Sequence, residues 1–190
     1  QIRQLQERTG GFTEFVPLPF VHMEAPIYRK NRSRPGPTFR EAVLMHAVAR
    51  LVLHGLIDNI QVSWVTMGEQ GVAACLAAGA NDLGGTLMNE SITRAAGSGH
   101  AQEWGPEYME RQIRAAGRVP RMRTTLYTDV PAERYRAAVS APPLAPVVNA
   151  AATKLERGKS LLPEGVLPER ISMPADQSLY EQVMLMAACN

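Results

Sequence analysis

The residues whose types could do chemistry fall into three clusters, each just after an apolar run. The first is Pro17, Phe20, His22 and Glu24. A histidine near a carboxylate can bind a ligand or move a proton, because imidazole titrates close to neutrality. A histidine in a surface loop is the plainer reading. The second is Gln61, Ser63 and Trp64. On a strand, Gln61 and Ser63 share one face and Trp64 takes the other. The pair could then meet a ligand while Trp64 packs under a helix. The third is Gly84, Gly85, Thr86, Asn89 and Glu90. Paired glycines let a ligand approach the backbone closely, and Asn89 and Glu90 could hydrogen-bond a polar substrate. The alternative is a tight turn with a solvated glutamate. Arg123 joins the candidates if Thr124-Thr125-Leu126-Tyr127 is a strand.

Other reactive side chains read as structural. His46 and His54 lie eight apart on one helix, which is not the i, i+4 spacing of a zinc pair. Cys75 falls on an apolar helix face, as a small core residue would. Cys189, one residue from the end, reads as an exposed thiol. Two cysteines in 190 residues make neither a disulfide framework nor a metal spacing. The basic run Arg29, Lys30, Arg32 and Arg34 has only Tyr28 beside it, so it reads as a solvated loop and not a nucleic-acid surface.

These clusters need elements to hold them. Gln1 to Arg8 reads as the last turns of a helix already in progress, stopped by Gly10-Gly11. A chain that starts mid-element, on Gln1 and not Met, is expected to be part of something longer. Residues 12–16 form a short buried strand, ended by Pro17 and Pro19, which lack the N–H a ladder needs. Thr38 and Glu41 make a capping box that opens a helix. Val43, Leu44, Ala47, Val48, Leu51 and Val52 continue it at helical spacing, with Gly55 after its end. Residues 60–65 form the next strand, Gly68 to Ala78 a short helix, and residues 81–85 a third strand with its turn. Pro106 opens a helix that runs to about Ala116, before Gly117. Beyond Tyr127 the pattern weakens, Pro142, Pro143 and Pro146 mark an extended segment, and Ser178 and Glu181 cap a last helix from Leu179 to Ala188.

Strand and helix alternate, which predicts an α/β fold with a parallel sheet: the C-terminal portion of a partial (β/α) TIM-type barrel with a less ordered C-terminal tail. Three such units cannot close a barrel and leave unpaired strand edges. The division is 1–130 for the barrel units, 131–149 for an extended tail and 150–190 for an extension with a short helix. The composition is 45% hydrophobic and 20% charged with a formal net charge of +2. That excludes a disordered chain and is too mild to argue for nucleic acid. No apolar run approaches the roughly 20 residues that span a bilayer, and the cytoplasm is the expected compartment.

Four blocks then carry a resemblance. They are Gly10-Gly11-Phe12-Thr13-Glu14-Phe15-Val16-Pro17-Leu18-Pro19-Phe20-Val21-His22, Asn59-Ile60-Gln61-Val62-Ser63-Trp64-Val65, Gly79-Ala80-Asn81-Asp82-Leu83-Gly84-Gly85-Thr86-Leu87-Met88-Asn89-Glu90-Ser91-Ile92, and Arg123-Thr124-Thr125-Leu126-Tyr127. In this order they resemble the C-terminal half of the CofH-type radical-SAM enzymes, the second half of a fused deazariboflavin synthase in actinobacteria. The resemblance covers about residues 1–149 and stops near Ala150.

It implies a partial barrel that holds a 4Fe–4S cluster and S-adenosylmethionine. It implies a transferase of deazaflavin coenzyme biosynthesis, joining the hydroxybenzyl part of tyrosine to 5-amino-6-ribitylaminouracil. It makes His22, Gln61, Ser63, Gly84, Gly85, Thr86, Glu90 and Arg123 candidate contacts to substrate or S-adenosylmethionine, with no general base named. The family anchors its cluster on three closely spaced cysteines, and Cys75 and Cys189 do not match them. No cluster ligand carries over, and the chain alone is expected to be inactive without the missing N-terminal barrel half. Two competing readings are a futalosine-type radical-SAM enzyme of menaquinone biosynthesis and a truncated, non-catalytic paralogue that binds a partner.

Overall fold

The chain opens on helix α1, Ile2–Thr9, closed by Gly10 in the left-handed region (φ 60°). A computed structural model describes residues 1–87, 89–100, 102–142 and 188–189. The elements after α1 are β1 (Glu14–Phe15), α2 (Pro26–Arg29), α3 (Phe39–Leu53), β2 (Asn59–Ile60) and α4 (Trp64–Ala77). Then come α5 (Ile92–Ala95), α6 (Pro106–Ala115), β3 (Met122–Arg123), α7 (Ala132–Ser140) and β4 (Ala188–Cys189). The architecture is mixed α/β, rich in helix and poor in sheet. The helix expected from Leu179 falls almost wholly outside the described residues.

Strands β1 and β2 pair in parallel, Glu14 with Asn59 and Phe15 with Ile60. A single parallel bridge, Gln61 to Asp82, adds a third segment. Strands β3 and β4 form a separate antiparallel pair. The parallel order agrees with the alternation in the sequence, but each strand is cut short by an identifiable cause. Pro17 and Pro19 end β1. After Asp82, Gly84 turns the chain at φ 73°.

The largest correction concerns residues 60–65. The strand stops at Ile60, Ser63 is already the N-cap of α4 and Trp64 is its first helical residue. The expected helix start at Gly68 is a kink inside α4, where φ is 63° and ψ −173°. Glycine at that point looked like a helix boundary because it breaks helical geometry; here two helical stretches continue on either side of it. Ser63 and Gln61 therefore do not share a strand face. Likewise residues 125–127 form a turn, and the strand lies just before it, at Met122–Arg123. Helix α7 occupies 132–140, where an extended chain was expected.

The capping box of α3 is present as read. The Thr38 hydroxyl accepts from the Glu41 N–H, and the Glu41 carboxylate accepts from the Thr38 N–H at 2.7 Å. Glu41 is held below the usual carboxylate range, first by that backbone bond and then by the Thr38 hydroxyl. Helix α3 turns Ala42, His46, Ala49 and Leu53 inward. Ala49, Leu53, Ile57 and Ile60 pack together with Phe15 against them. A larger core joins α3, α4 and α6 through Val62, Trp64, Met67, Val72, Leu76, Trp104, Met109 and Ile113. Arg50 ties α3 to the third strand segment, donating to the Gly79 carbonyl and to Asn81 Oδ1, which also accepts from the Ile60 N–H.

Candidate functional site: a buried ionic cluster on the open strand face

The three parallel segments have two unlike faces. Side chains alternate across a strand, and bridged partners point the same way. Phe15 and Ile60 face the helices. Glu14, Gln61 and Asp82 therefore lie on the other face, and three charged groups and a phenol meet there. Asp82 is fully buried. Its Oδ2 accepts from Arg123 Nε at 2.8 Å and pairs with Nη2 of the same guanidinium at 2.5 Å. Its Oδ1 accepts from the Gly84 N–H at 2.7 Å. Arg123 Nη2 also reaches Glu14 Oε2 at 3.5 Å, and its Nη1 donates to the Thr124 carbonyl.

Tyr127 closes the cluster from above. Its hydroxyl lies 2.6 Å from Glu14 Oε2 and 3.0 Å from Asp82 Oδ2, so one phenolic proton is shared by two carboxylates. Its ring lies under the Arg123 guanidinium at 3.8 Å. Burial first, then the bond to Glu14 and the charge of Asp82, push the phenol well above its ordinary pKa. The group stays protonated and keeps its donor role. Tyr127 sits in the left-handed region (φ 60°), a conformation a tyrosine adopts only where its surroundings compensate.

Two polar groups of this face are left over. The Gln61 amide has no hydrogen-bond partner among the described residues. Glu14 is partly exposed and, among the described residues, accepts only through Oε2, with no partner for Oε1. One guanidinium stands against two carboxylates, and the cluster carries a surplus negative charge at its open edge.

The other expected residues are distributed elsewhere. Gly84 belongs to the cluster, but the group that approaches its backbone is Gln61; a Cβ there would come within 2.8 Å of Gln61 Nε2. The Gly85 carbonyl accepts from Trp64 Nε1 at 3.1 Å. Trp64 packs, as the sequence suggested, stacked on Trp104 with ring centroids 5.1 Å apart. Thr86 is half-buried nearby. Glu90 accepts from the Thr93 N–H in the first turn of α5. His22 stands apart, its Nδ1 accepting from the Gly36 N–H and its ring edge-on to Tyr28. Ser63 caps α4 by position.

A cavity of about 230 Å³ lies beyond the ends of the parallel strands, lined among others by Phe20, Phe39, Met67, Ser98 and His100. Burial lowers the pKa of His100 and favours the neutral ring. Sequence reasoning missed Glu14, Asp82 and Tyr127. Charged residues inside otherwise apolar strand segments were the available signal for the first two.

A thiolate-bound cluster does not fit the residues described. Cys75 is fully buried, and burial pushes its thiol up to about 11. Among the described residues no group of three His, Cys, Asp or Glu could hold a metal ion. No helix among them is long and apolar enough to cross a membrane.

Fold and site together define an α/β unit with one strand face sealed by helices and the other carrying a closed ionic cluster. Residues 9–135 match the family model described as the CofH/MqnC C-terminal region, and the chain belongs to that family. It is 49% identical over 152 residues to FO synthase of Streptomyces avermitilis, covering 78% of this chain and 18% of that protein. It is 55% identical over 130 residues to the 5-amino-6-(D-ribitylamino)uracil--L-tyrosine 4-hydroxyphenyl transferase of Methanopyrus kandleri, covering 68% of this chain and 35% of that protein. The chain thus spans about a fifth to a third of these relatives. No solved structure gives a significant match.

Proposed function

We propose that this chain is the substrate-side portion of a radical-SAM transferase that joins the hydroxybenzyl part of tyrosine to 5-amino-6-ribitylaminouracil in deazaflavin biosynthesis. The names of the relatives support the reaction. The observation that carries the residue assignment is the polar strand face with its unused groups. Glu14, Gln61 and Asp82 line it, Arg123 and Tyr127 lock it, and the Gln61 amide and Glu14 Oε1, which have no partner among the described residues, remain to meet a ligand. The three parallel segments form one arc of a partial (β/α) barrel in this reading, and their polar face is the lumen.

The residues of this chain then bind and orient. Gln61 offers an amide NH₂ as donor and an amide oxygen as acceptor to a polar substrate group. Glu14 offers a charged acceptor at the edge of a cluster with surplus negative charge. Tyr127 holds its proton and keeps Glu14 in place, and Arg123 neutralises buried Asp82. Gly84, Gly85 and Thr86 shape the wall beside Gln61. His22, Ser63 and Glu90 are assigned to the rim, where His22 and Glu90 each already hold a backbone N–H and Ser63 stands at the N-cap position of α4. The 4Fe–4S cluster and S-adenosylmethionine belong to the N-terminal half that such enzymes carry.

The test joins this chain to an N-terminal half bearing the cysteine triplet, with iron and sulfide reconstituted, and assays tyrosine-dependent product. We expect Gln61→Ala and Glu14→Gln to lower turnover at least tenfold with folding retained. A folded, reconstituted complex without turnover overturns the reaction. Turnover unchanged in both variants overturns the placement of the site.

A further inference from the structure

Three aromatic side chains stand in one row across the seam between α4 and α6. Trp64, the first residue of α4, is stacked on Trp104, with ring centroids 5.1 Å apart. Tyr108, in the first turn of α6, continues the row at 4.9 Å from Trp104. The two ends of the row differ. The inner end is Trp64, 2% exposed, whose indole N–H donates to the Gly85 carbonyl. Gly85 follows Gly84, whose backbone meets the Gln61 amide on the polar strand face. The outer end is Tyr108, half-buried, whose hydroxyl donates to the carboxylate of exposed Glu69.

Packing accounts for the two buried indoles. It does not require that the row end on a phenol held to a carboxylate at the surface. Indole and phenol are the aromatic side chains that give up an electron most easily, and electrons pass quickly between rings in contact. A hole placed on Trp64 can therefore reach Trp104 and then Tyr108. Tyrosine serves as the terminus only if its proton leaves with the electron, because an oxidised phenol is a far stronger acid than the phenol itself. Glu69 already accepts a hydrogen bond from that proton. Arg111 makes the same demand. Its guanidinium lies over the Tyr108 ring at 4.8 Å from the centroid, so a positive ring would face a positive charge. Passing the proton to Glu69 leaves the ring neutral.

We propose that Trp64, Trp104 and Tyr108 carry oxidising equivalents from the polar strand face to the surface, with Glu69 as the proton acceptor. The oxidant is an organic peroxyl radical, formed where dioxygen adds to a carbon-centred radical beside that face. This source rests on the radical reaction proposed above; the aromatic row itself does not. The peroxyl radical takes one electron from Trp64 and a proton from water and becomes a hydroperoxide. Trp104 refills Trp64, and Tyr108 refills Trp104. Tyr108 gives its O–H proton to Glu69 and becomes a neutral phenoxyl radical. A small-molecule reductant of the ascorbate class returns a hydrogen atom to it at the surface.

A laser flash absorbed by tryptophan ionises it in place, and in this chain it can ionise only Trp64 or Trp104. We expect the indolyl absorption to turn into phenoxyl absorption at a rate independent of protein concentration. Tyr108→Phe should lengthen the indolyl lifetime at least tenfold. Glu69→Gln should slow the conversion at least threefold, with the phenol still in place. Far-ultraviolet circular dichroism should be unchanged in both variants. In heavy water the parent's conversion should slow at least twofold, a change that a packing role does not produce. A parent chain in which no phenoxyl forms overturns the proposal. So does a phenoxyl yield that Tyr108→Phe leaves unchanged, and a conversion indifferent to both Glu69→Gln and heavy water overturns the role of Glu69. In the chain joined to its N-terminal half, oxygen admitted during turnover should oxidise Trp64 at least threefold more in Tyr108→Phe than in the parent, read by peptide mass spectrometry. Equal oxidation overturns the protective role. No turnover in the parent overturns the reaction and with it the source of the hole, while the flash experiment still decides the row.

Discussion

Tyr127 is where one side chain governs several others. Its proton serves two carboxylates that Arg123 alone does not fully balance. Losing the hydroxyl in Tyr127→Phe should cost about 1.5–3 kcal/mol near neutral pH, the range for hydrogen bonds to charged groups. The pH dependence has a definite sign. The folded state binds the phenolic proton more tightly than the unfolded state, whose tyrosine titrates near 10. The stability this provides is complete below about pH 10 and is lost as pH rises towards the folded value. Denaturant midpoints between pH 8 and 11 should fall more steeply in the parent chain than in Tyr127→Phe. Parallel curves would show that the phenol is not shared as described. Tyr108, pushed up to about 12 by burial and its bond to Glu69, has the same sign and is present in both proteins. This cluster was poorly legible in the sequence. Arg123 could be singled out, but its partners lie 41 and 109 residues away, and no local pattern pairs them.

Among the elements, α3 was legible and α4 was not. Thr38 and Glu41 satisfy each other's backbone donors, and that interaction is local enough to read from residue spacing. Helix α4 opens on Ser63, whose side chain makes no cap bond, and is kinked at Gly68, so both of its local signals point to a later start. Gly68 has a backbone that only glycine adopts readily, and its close neighbour is His100, whose ring would stand 2.4 Å from a Cβ. Gly68→Ala should therefore destabilise by about 1–3 kcal/mol through backbone strain, with the ring contact in addition. His100→Ala in the same background should recover the contact part and leave the backbone part. Full recovery in urea titrations would mean that the kink itself is unstrained. The strands were legible in order but not in length, because prolines, the N-cap residue and Gly84 cut each of them short.

For the molecule as a whole, the sequence told which residues are inside more reliably than which meet. Cys75 was read as a core residue, and it lies fully buried between α3 and α4, with His46 Nδ1 at 3.5 Å from its sulfur. Its thiol is pushed up to about 11 by burial, so thiolate is scarce at pH 8 and the sulfur is out of reach. In a Cys189→Ser background, Cys75 should react with a disulfide reagent at pH 8 only as fast as the core opens. Its rate should rise with denaturant along the unfolding curve. Rapid labelling of the native protein would show that α3 and α4 separate locally. The α/β alternation followed from patterning, whereas the polar strand face depended on contacts between distant segments.

The stacked pair of indoles has a practical consequence of its own. The chain has two tryptophans, and both are in that stack, their planes 16° apart and buried between α4 and α6. Ultraviolet emission excited at the red edge therefore comes from one address in the molecule. Two transition dipoles this close should couple and give a paired positive and negative band in circular dichroism. The signal would follow the seam between Trp64 and Trp104 and be blind to the outer side of α3. A single optical measurement thus reports loosening of this interior seam.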